Sequence, residues 1–266
     1  MRTPRILIVA GSDSGGGAGI QADIKTVSAL GGHAMTAITA ITAQNTLGVT
    51  AMHSVPTDMV IAQMDAVIQD IGVDAVKIGM IGSAATAKAL ADRLARLDDV
   101  AIVLDPVMVA TSGAVLADAA TIAAFARLMD IATVVTPNGP ELAALSGLPV
   151  SGPTEAVAAA RMLVERHGCS VLAKGGHFDG ELIDSLVDFQ GKLFQWADER
   201  IDSRSTHGTG CTLASGLAVG LAQGLLIDEA VGRARAFVRA AMMAAPGLGA
   251  GHGPMGQGLV RMRASH

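Results

Sequence analysis

Val100-Ala101-Ile102-Val103-Leu104-Asp105 and Ile131-Ala132-Thr133-Val134-Val135-Thr136 are short runs, apolar without alternation, and the stretch between them near 118–129 has a helical period. A strand that is apolar on both faces belongs inside a sheet covered on both sides, and two such strands joined by a helix make a parallel βαβ unit. The same alternation recurs outward in both directions. It predicts further strands near 5–10, 34–42, 50–55, 74–79, 170–174 and 183–189, and helices near 17–30, 57–71, 84–98, 154–167, 209–223 and 228–245. Segments 182–189 and 192–197 flank Gln190-Gly191, which suits a β-hairpin at a sheet edge. The fold class expected is α/β with a mixed, mostly parallel central sheet.

The chain has 266 residues, half of them hydrophobic, and no linker or repeat divides it, so residues 1–266 read as a single domain. With 32 Gly, 2% aromatics and no Tyr, its core must pack on aliphatic side chains. A net charge of −5 argues against a nucleic-acid partner. Cys169 and Cys211 are too few for a disulfide framework, and a cytoplasmic protein is expected. The apolar run after Arg5 spans five residues, too few for an export signal, and Leu213–Ile227 covers fifteen. A membrane span needs ~20 apolar residues, so no membrane association is expected.

In open parallel sheets ligands lie beyond the carboxyl ends of the strands, where this sequence is unusual. The first strand runs into Gly11-Ser12-Asp13-Ser14-Gly15-Gly16-Gly17-Ala18-Gly19 and a helix carrying Asp23. Such a turn is either a tight βα connection or a place where backbone approaches a small ligand. Asp105-Pro106 follows the fifth strand and Thr136-Pro137-Asn138-Gly139-Pro140-Glu141 the sixth, placing a carboxylate near each strand end. Asp105 is by type a turn former, yet a magnesium ion carrying nucleotide phosphates needs only one or two carboxylates. Lys174-Gly175-Gly176-His177 sets a cation at the same edge, which suits a phosphate better than a core.

Ser205-Thr206-His207-Gly208-Thr209-Gly210-Cys211-Thr212 leads into a helix of small residues. Glycines ahead of a helix leave its first N–H groups free to converge on an anion, and such donors stabilise the charge that spreads over a migrating phosphoryl group. Cys211 lies in or beside the first turn, where the helix dipole is expected to lower a thiol's pKa. The plainer reading is a small buried cysteine, and Cys169, before a buried strand, reads as core. Gly191-Lys192 is followed by Leu193, so there is no Walker loop. HExxH, Gly-x-Ser-x-Gly and a Gly-x-Gly-x-x-Gly turn after a strand are also missing, which speaks against a zinc hydrolase, a serine hydrolase and a nicotinamide-dependent dehydrogenase.

Ala10–Asp23 and Thr206–Thr212 together carry a resemblance that continues through Ala43-Gln44-Asn45-Thr46, Lys77-Ile78-Gly79-Met80, Leu104-Asp105-Pro106-Val107-Met108, Thr136-Pro137-Asn138 and Lys174-Gly175-Gly176-His177. The chain resembles the bacterial hydroxymethylpyrimidine and phosphomethylpyrimidine kinases of thiamine biosynthesis, within the ribokinase-like superfamily. The resemblance implies a three-layer α/β/α domain, a homodimer, and ATP and Mg2+ as partners. It also implies phosphorylation of 4-amino-5-hydroxymethyl-2-methylpyrimidine and then of its monophosphate to the diphosphate. It assigns Gln44 to the aminopyrimidine, Asp23 to the vicinity of the substrate hydroxyl, and Gly11, Ala18, Met80 and Val107 to the ring pocket. Lys174 would contact phosphate, Asp105, Asn138 and Glu141 would organise magnesium and the nucleotide, and Gly208, Thr209, Gly210 and Cys211 would form the anion hole. A carboxamide offers an acceptor and a donor side by side, which matches an exocyclic amine beside a ring nitrogen.

Two departures stand out. Most sugar kinases of the superfamily carry Asp where Cys211 stands, and cysteine marks the pyrimidine-kinase branch; Cys211 is expected either to accept the hydroxyl proton or to position the hydroxyl. Asp13-Ser14-Gly15 stands where Asp-Pro-Ser is common, which affects only the shape of that turn. Gly251-His252-Gly253-Pro254 resembles the family's C-terminal segment and is expected to pack on the domain, and Ala110-Thr111-Ser112-Gly113 looks like part of a closing flap. A pyridoxal kinase of the same branch is the nearest rival, and a non-catalytic binding protein on the same fold is a rival of another class.

Overall fold

The computed structural model describes residues 2–110, 113–178 and 180–260. Nine strands form one sheet: β1 (Arg5–Asp13), β2 (His33–Asn45), β3 (Gly48–Ser54), β4 (Ala75–Ile78), β5 (Ala101–Leu104), β6 (Val134–Val135), β7 (Ser170–Ala173), β8 (Leu182–Val187) and β9 (Leu193–Asp198). The helices are α1 (Gly19–Ala29), α2 (Thr57–Asp70), α3 (Ala84–Leu94), α4 (Ala119–Met129), α5 (Gly139–Ser146), α6 (Pro153–His167), α7 (Thr209–Ala222) and α8 (Ile227–Met243).

The strand order is β3-β2-β1-β4-β5-β6-β7-β8-β9, which puts the apolar runs at 100–105 and 131–136 at the centre of the sheet. Pairings from β2 through β7 are parallel, while β3 and the β8–β9 hairpin attach antiparallel at the two edges. Alternate residues of β1 point to opposite faces: Leu7 and Val9 join the core beneath α2–α6, and Ile6 and Ile8 the core beneath α1, α7 and α8. Three layers result.

Helix α5 was not foreseen, because Pro137 to Pro140 reads as a turn. Asn138 caps it by accepting from the Glu141 N–H at 2.9 Å, and Glu141 Oε2 accepts from the Asn138 N–H at 2.8 Å. That reciprocal capping box starts a helix that the proline at its second position favours. The same turn ends β6 after two residues, where the apolar pattern had suggested six.

The Gly-rich C-terminal segment is packed. Gly253 accepts from the His207 N–H, its own N–H donates to Arg204, and the His252 N–H donates to Thr46. Thr111 and Ser112 of the expected flap lie outside the described residues, although Val109 and Val115 on either side are bridged. Among the described residues no helix is long and apolar enough to cross a membrane.

Candidate active site

The carboxyl ends of β1, β2, β4, β5, β6 and β7 and the N-terminus of α7 meet at one edge of the sheet. The connection into α7 needs glycine at two places. Gly208 has φ +86°, and a Cβ there would stand 2.0 Å from the Gly17 carbonyl oxygen. A Cβ on Gly210 would stand 3.3 Å from both Asp105 Oδ2 and Lys174 Nζ. The first turn of α7 therefore lies directly over the Asp105–Lys174 pair. Thr209, Gly210 and Cys211 keep partial exposure, so the turn is open to a ligand.

Lys174 Nζ donates to Asp105 Oδ1 at 2.8 Å and lies 3.8 Å from Glu141 Oε2. Burial works against the Lys174 charge, but Asp105 and Glu141 outweigh it and its pKa rises. Burial pushes the Glu141 carboxyl up, in spite of Lys174. Thr136 Oγ1 gives Asp105 Oδ1 a second donor, and among the described residues Asp105 Oδ2 accepts no hydrogen bond. The described residues contain no group of three or more His, Cys, Asp or Glu able to hold a metal. One free carboxylate oxygen beside the anion turn suits a magnesium ion that arrives on nucleotide phosphates, with water filling the rest of its shell. Asn138 and Glu141 spend much of their polar capacity on the α5 cap, and they stand beside Lys174 through the Asn138–Lys174 bridge.

Gln44 reaches the same edge from the end of β2. Its backbone is clamped by Ser14, whose Oγ accepts from the Gln44 N–H and donates to the Gln44 carbonyl, both at 2.8 Å. Its carboxamide touches His207, the residue before Gly208, at 3.1 Å. The ring-reading candidate and the anion turn are thus neighbours. Gly11 lies against Met80, where a Cβ would come within 2.9 Å of Sδ, Ala18 abuts Gly208, and Val107 is partly exposed just beyond Asp105.

At two of the expected residues burial dominates. Asp23, assigned by the resemblance to the vicinity of the substrate hydroxyl, is wholly buried, with Oδ2 accepting from Lys77 Nζ at 2.8 Å and Oδ1 from Ser215 Oγ at 2.7 Å. Ser215 is one helical turn beyond Cys211, so this ion pair lies beneath the thiol. At Cys211 burial opposes the acidification expected at a helix terminus. Burial raises its thiol to about 11, and the Lys77 charge and the Gly19 N–H offset that only in part, with Asp23 and Asp105 opposing them. The thiol is neutral near pH 7.

Lys77, Asp13, His207 and Ser215 were not singled out as functional residues. Lys77 had a legible signal, a cation inside the strand Ala-Val-Lys-Ile, since a buried ammonium must be paired. Asp13 accepts from the N–H groups of Gly15, Gly17 and Ala18 and faces His207 Nε2 at 2.9 Å. Burial alone would raise its carboxyl, but the hydrogen bonds from His207, Ala18 and Gly15 bring it below its ordinary value.

Residues 13–256 match the family model described as phosphomethylpyrimidine kinase. A hydroxymethylpyrimidine/phosphomethylpyrimidine kinase of Rhizobium meliloti is 49% identical over 253 residues, covering 94% of this chain and 95% of the relative. A thiamine biosynthesis bifunctional protein of Geobacter sulfurreducens is 48% identical over 253 residues, and the match covers 94% of this chain but 51% of that longer protein. Among solved structures, the pyridoxal kinase of Staphylococcus aureus in complex with ADP superposes with a TM-score of 0.89 at 32% identity, covering 97% of this chain and 94% of that one. An α/β sheet of this order, an open glycine-bearing turn set over a lysine–carboxylate pair, and these likenesses lead to one conclusion: the chain belongs to the phosphomethylpyrimidine kinase family.

Proposed function

We propose that this protein transfers the γ-phosphoryl group of ATP to the hydroxyl of 4-amino-5-hydroxymethyl-2-methylpyrimidine, and then phosphorylates the monophosphate to the diphosphate, in thiamine biosynthesis. The observation that carries the reading is the adjacency of Gln44 to the turn at Gly208–Cys211 through His207. A flat ring held on the Gln44 carboxamide, between Gly11, Ala18, Met80 and Val107, brings its hydroxymethyl group to the α7 N-terminus. The hydroxyl oxygen then attacks the γ-phosphorus in line, the bond to the bridging oxygen breaks, ADP leaves, and the hydroxyl proton departs on a phosphate oxygen or to water.

The free N–H groups of the turn receive the charge on the migrating oxygens, and Lys174 supplies the compensating cation. When magnesium is bound, it neutralises charge on the phosphates; Asp105 and Glu141 are the residues that would hold it or its waters. Because the transition state is largely dissociative, the hydroxyl needs little deprotonation before attack. A neutral Cys211 thiol suits a role in positioning that hydroxyl. A homodimer in the cytoplasm belongs to the same reading and rests on the family resemblance.

Pyridoxal phosphorylation is the second reading, favoured by the close superposition on a pyridoxal kinase. Initial rates of ADP release with the aminopyrimidine alcohol, its monophosphate and pyridoxal separate the two. The proposal expects kcat/KM for the aminopyrimidine to exceed that for pyridoxal, and a preference for pyridoxal overturns it.

A further inference from the structure

Two polar side chains touch the Gln44 carboxamide, each with a fixed partner behind it, and counting their protons leaves one consistent arrangement. His207 Nε2 stands 2.9 Å from Asp13 Oδ2 and 3.1 Å from the carboxamide nitrogen of Gln44. Asp13 already accepts three backbone N–H groups, one on Oδ1 and two on Oδ2, so it is an ionised acceptor. His207 Nε2 is then the donor between them, and a ring nitrogen that carries a proton has no lone pair to offer Gln44. It can meet only an acceptor.

The other end of the carboxamide gives the same answer independently. Thr42 Oγ1 lies 3.0 Å from the Ser12 carbonyl oxygen and 3.0 Å from the Gln44 amide oxygen. Its single proton can serve one of them. The Ser12 carbonyl oxygen can only accept, so the hydroxyl proton goes there and the hydroxyl oxygen requires a donor from Gln44. Both neighbours therefore select the carboxamide turned by half a rotation, oxygen toward His207 and nitrogen toward Thr42; the two orientations have nearly the same shape and differ in hydrogen bonding.

We propose that His207, held by Asp13, is a positioning residue that fixes the Gln44 carboxamide with its oxygen toward the imidazole and its nitrogen toward Thr42, and so sets the donor–acceptor order the site offers a heteroaromatic ring. So fixed, the carboxamide keeps one N–H and one lone pair for the ligand, in a single order. The edge it accepts is an exocyclic amine beside a ring nitrogen, and the reversed order meets two donors or two acceptors. The imidazole is itself held in place: Gly17 lies against its Cδ2 edge, where a Cβ would come within 2.4 Å of Cδ2, and the His207 backbone N–H donates to the Gly253 carbonyl. The inference rests on Gln44 being the residue that reads the ring.

The orientation is read directly by NMR on protein labelled at the glutamine side chains, free of substrate. Nuclear Overhauser contacts from the Gln44 amide protons to the Thr42 methyl, with a protonated Nε2 on His207, are expected. Contacts from those protons to the His207 ring, or a bare Nε2, overturn the proposal. In kinetics, His207→Phe keeps a flat ring without the donor and should raise KM for the aminopyrimidine alcohol about tenfold while KM for ATP stays within about twofold. His207→Asn, which restores an N–H, should recover most of the loss. A His207→Phe variant with wild-type KM, or no recovery in His207→Asn while both variants give a wild-type far-ultraviolet spectrum, contradicts the positioning role. The substrate reading fails differently: Gln44→Ala then leaves KM for the aminopyrimidine unchanged, and the specificity half of the inference falls while the NMR orientation is unaffected.

Discussion

Cys211 and the ion pair beneath it show how burial decides chemistry at a single residue. Lys77 has no solvent exposure, and although burial works against its charge, Asp23, Cys211 and Asp105 hold its pKa above the ordinary value. Lys77→Met leaves Asp23 as an uncompensated buried carboxylate and should cost about 3–5 kcal/mol in urea unfolding; Lys77→Met/Asp23→Leu should recover most of that, and equal losses in the single and double variants would contradict an ion-pair role. For Cys211, a thiol raised to about 11 must react with iodoacetamide at a rate that climbs through pH 9 and 10 without levelling. A plateau below pH 8 would restore the thiolate that the helix terminus suggested. Cys211→Ser, which keeps a hydrogen-bonding group, should lower kcat less than about tenfold, whereas removal of a true general base costs about 10²–10⁴. At this scale the sequence was legible where a residue type at a strand end carries the message, as with the placement of Lys174, whereas Gln44 was assigned by the family resemblance. It was not legible where a partner decides, because Asp23 and Lys77 are 54 positions apart and only the fold brings them together.

The elements were legible wherever one physical signal dominated. Apolar runs marked β5 and β7, the antiparallel edge hairpin followed from two alternating segments around Gln190-Gly191, and the Gly-Thr-Gly turn marked the start of α7. Helix α5 was missed because its apolar face is short and its evidence is a cap. Helix α7 depends on small residues along its whole length. Gly216 and Gly220 face Ala234 and Ala230 of α8, and a Cβ on Gly220 would stand 2.7 Å from the Ala230 Cβ. Gly220→Val should therefore cost about 1–3 kcal/mol by overpacking; a wild-type denaturation midpoint would show that α7 and α8 can separate freely. Gly208→Ala tests the turn itself. Its Cβ collides with the Gly17 carbonyl, so kcat should fall by about 10² or more with the sheet intact by circular dichroism, in line with the loss of a transition-state donor. Near-normal turnover would exclude the turn from the reaction.

At the scale of the molecule, the site exists because a doubly covered sheet brings six strand ends to one edge while the C-terminal segment holds the α7 turn from behind through Gly253 and Pro254. The Asp13 network ties that edge together and gives it a pH dependence. Its carboxyl is lower in the folded state than its ordinary 3.8, so the stabilisation is complete above that value and fades as pH falls below it. The stability difference between wild type and Asp13→Asn should accordingly be constant near neutrality and shrink in acid; a difference that grows in acid would reverse the sign. The central claim concerns distance: the turn at Gly208–Cys211 and the carboxamide of Gln44 serve the same pair of reactants. Its most direct test is a crystal structure with the aminopyrimidine alcohol and a non-hydrolysable ATP analogue bound together. The account predicts the γ-phosphate on the N–H groups of the turn, the amino-pyrimidine edge on Gln44, and the hydroxyl between them facing the γ-phosphorus; a ring bound away from Gln44, or a γ-phosphate away from the turn, would contradict it.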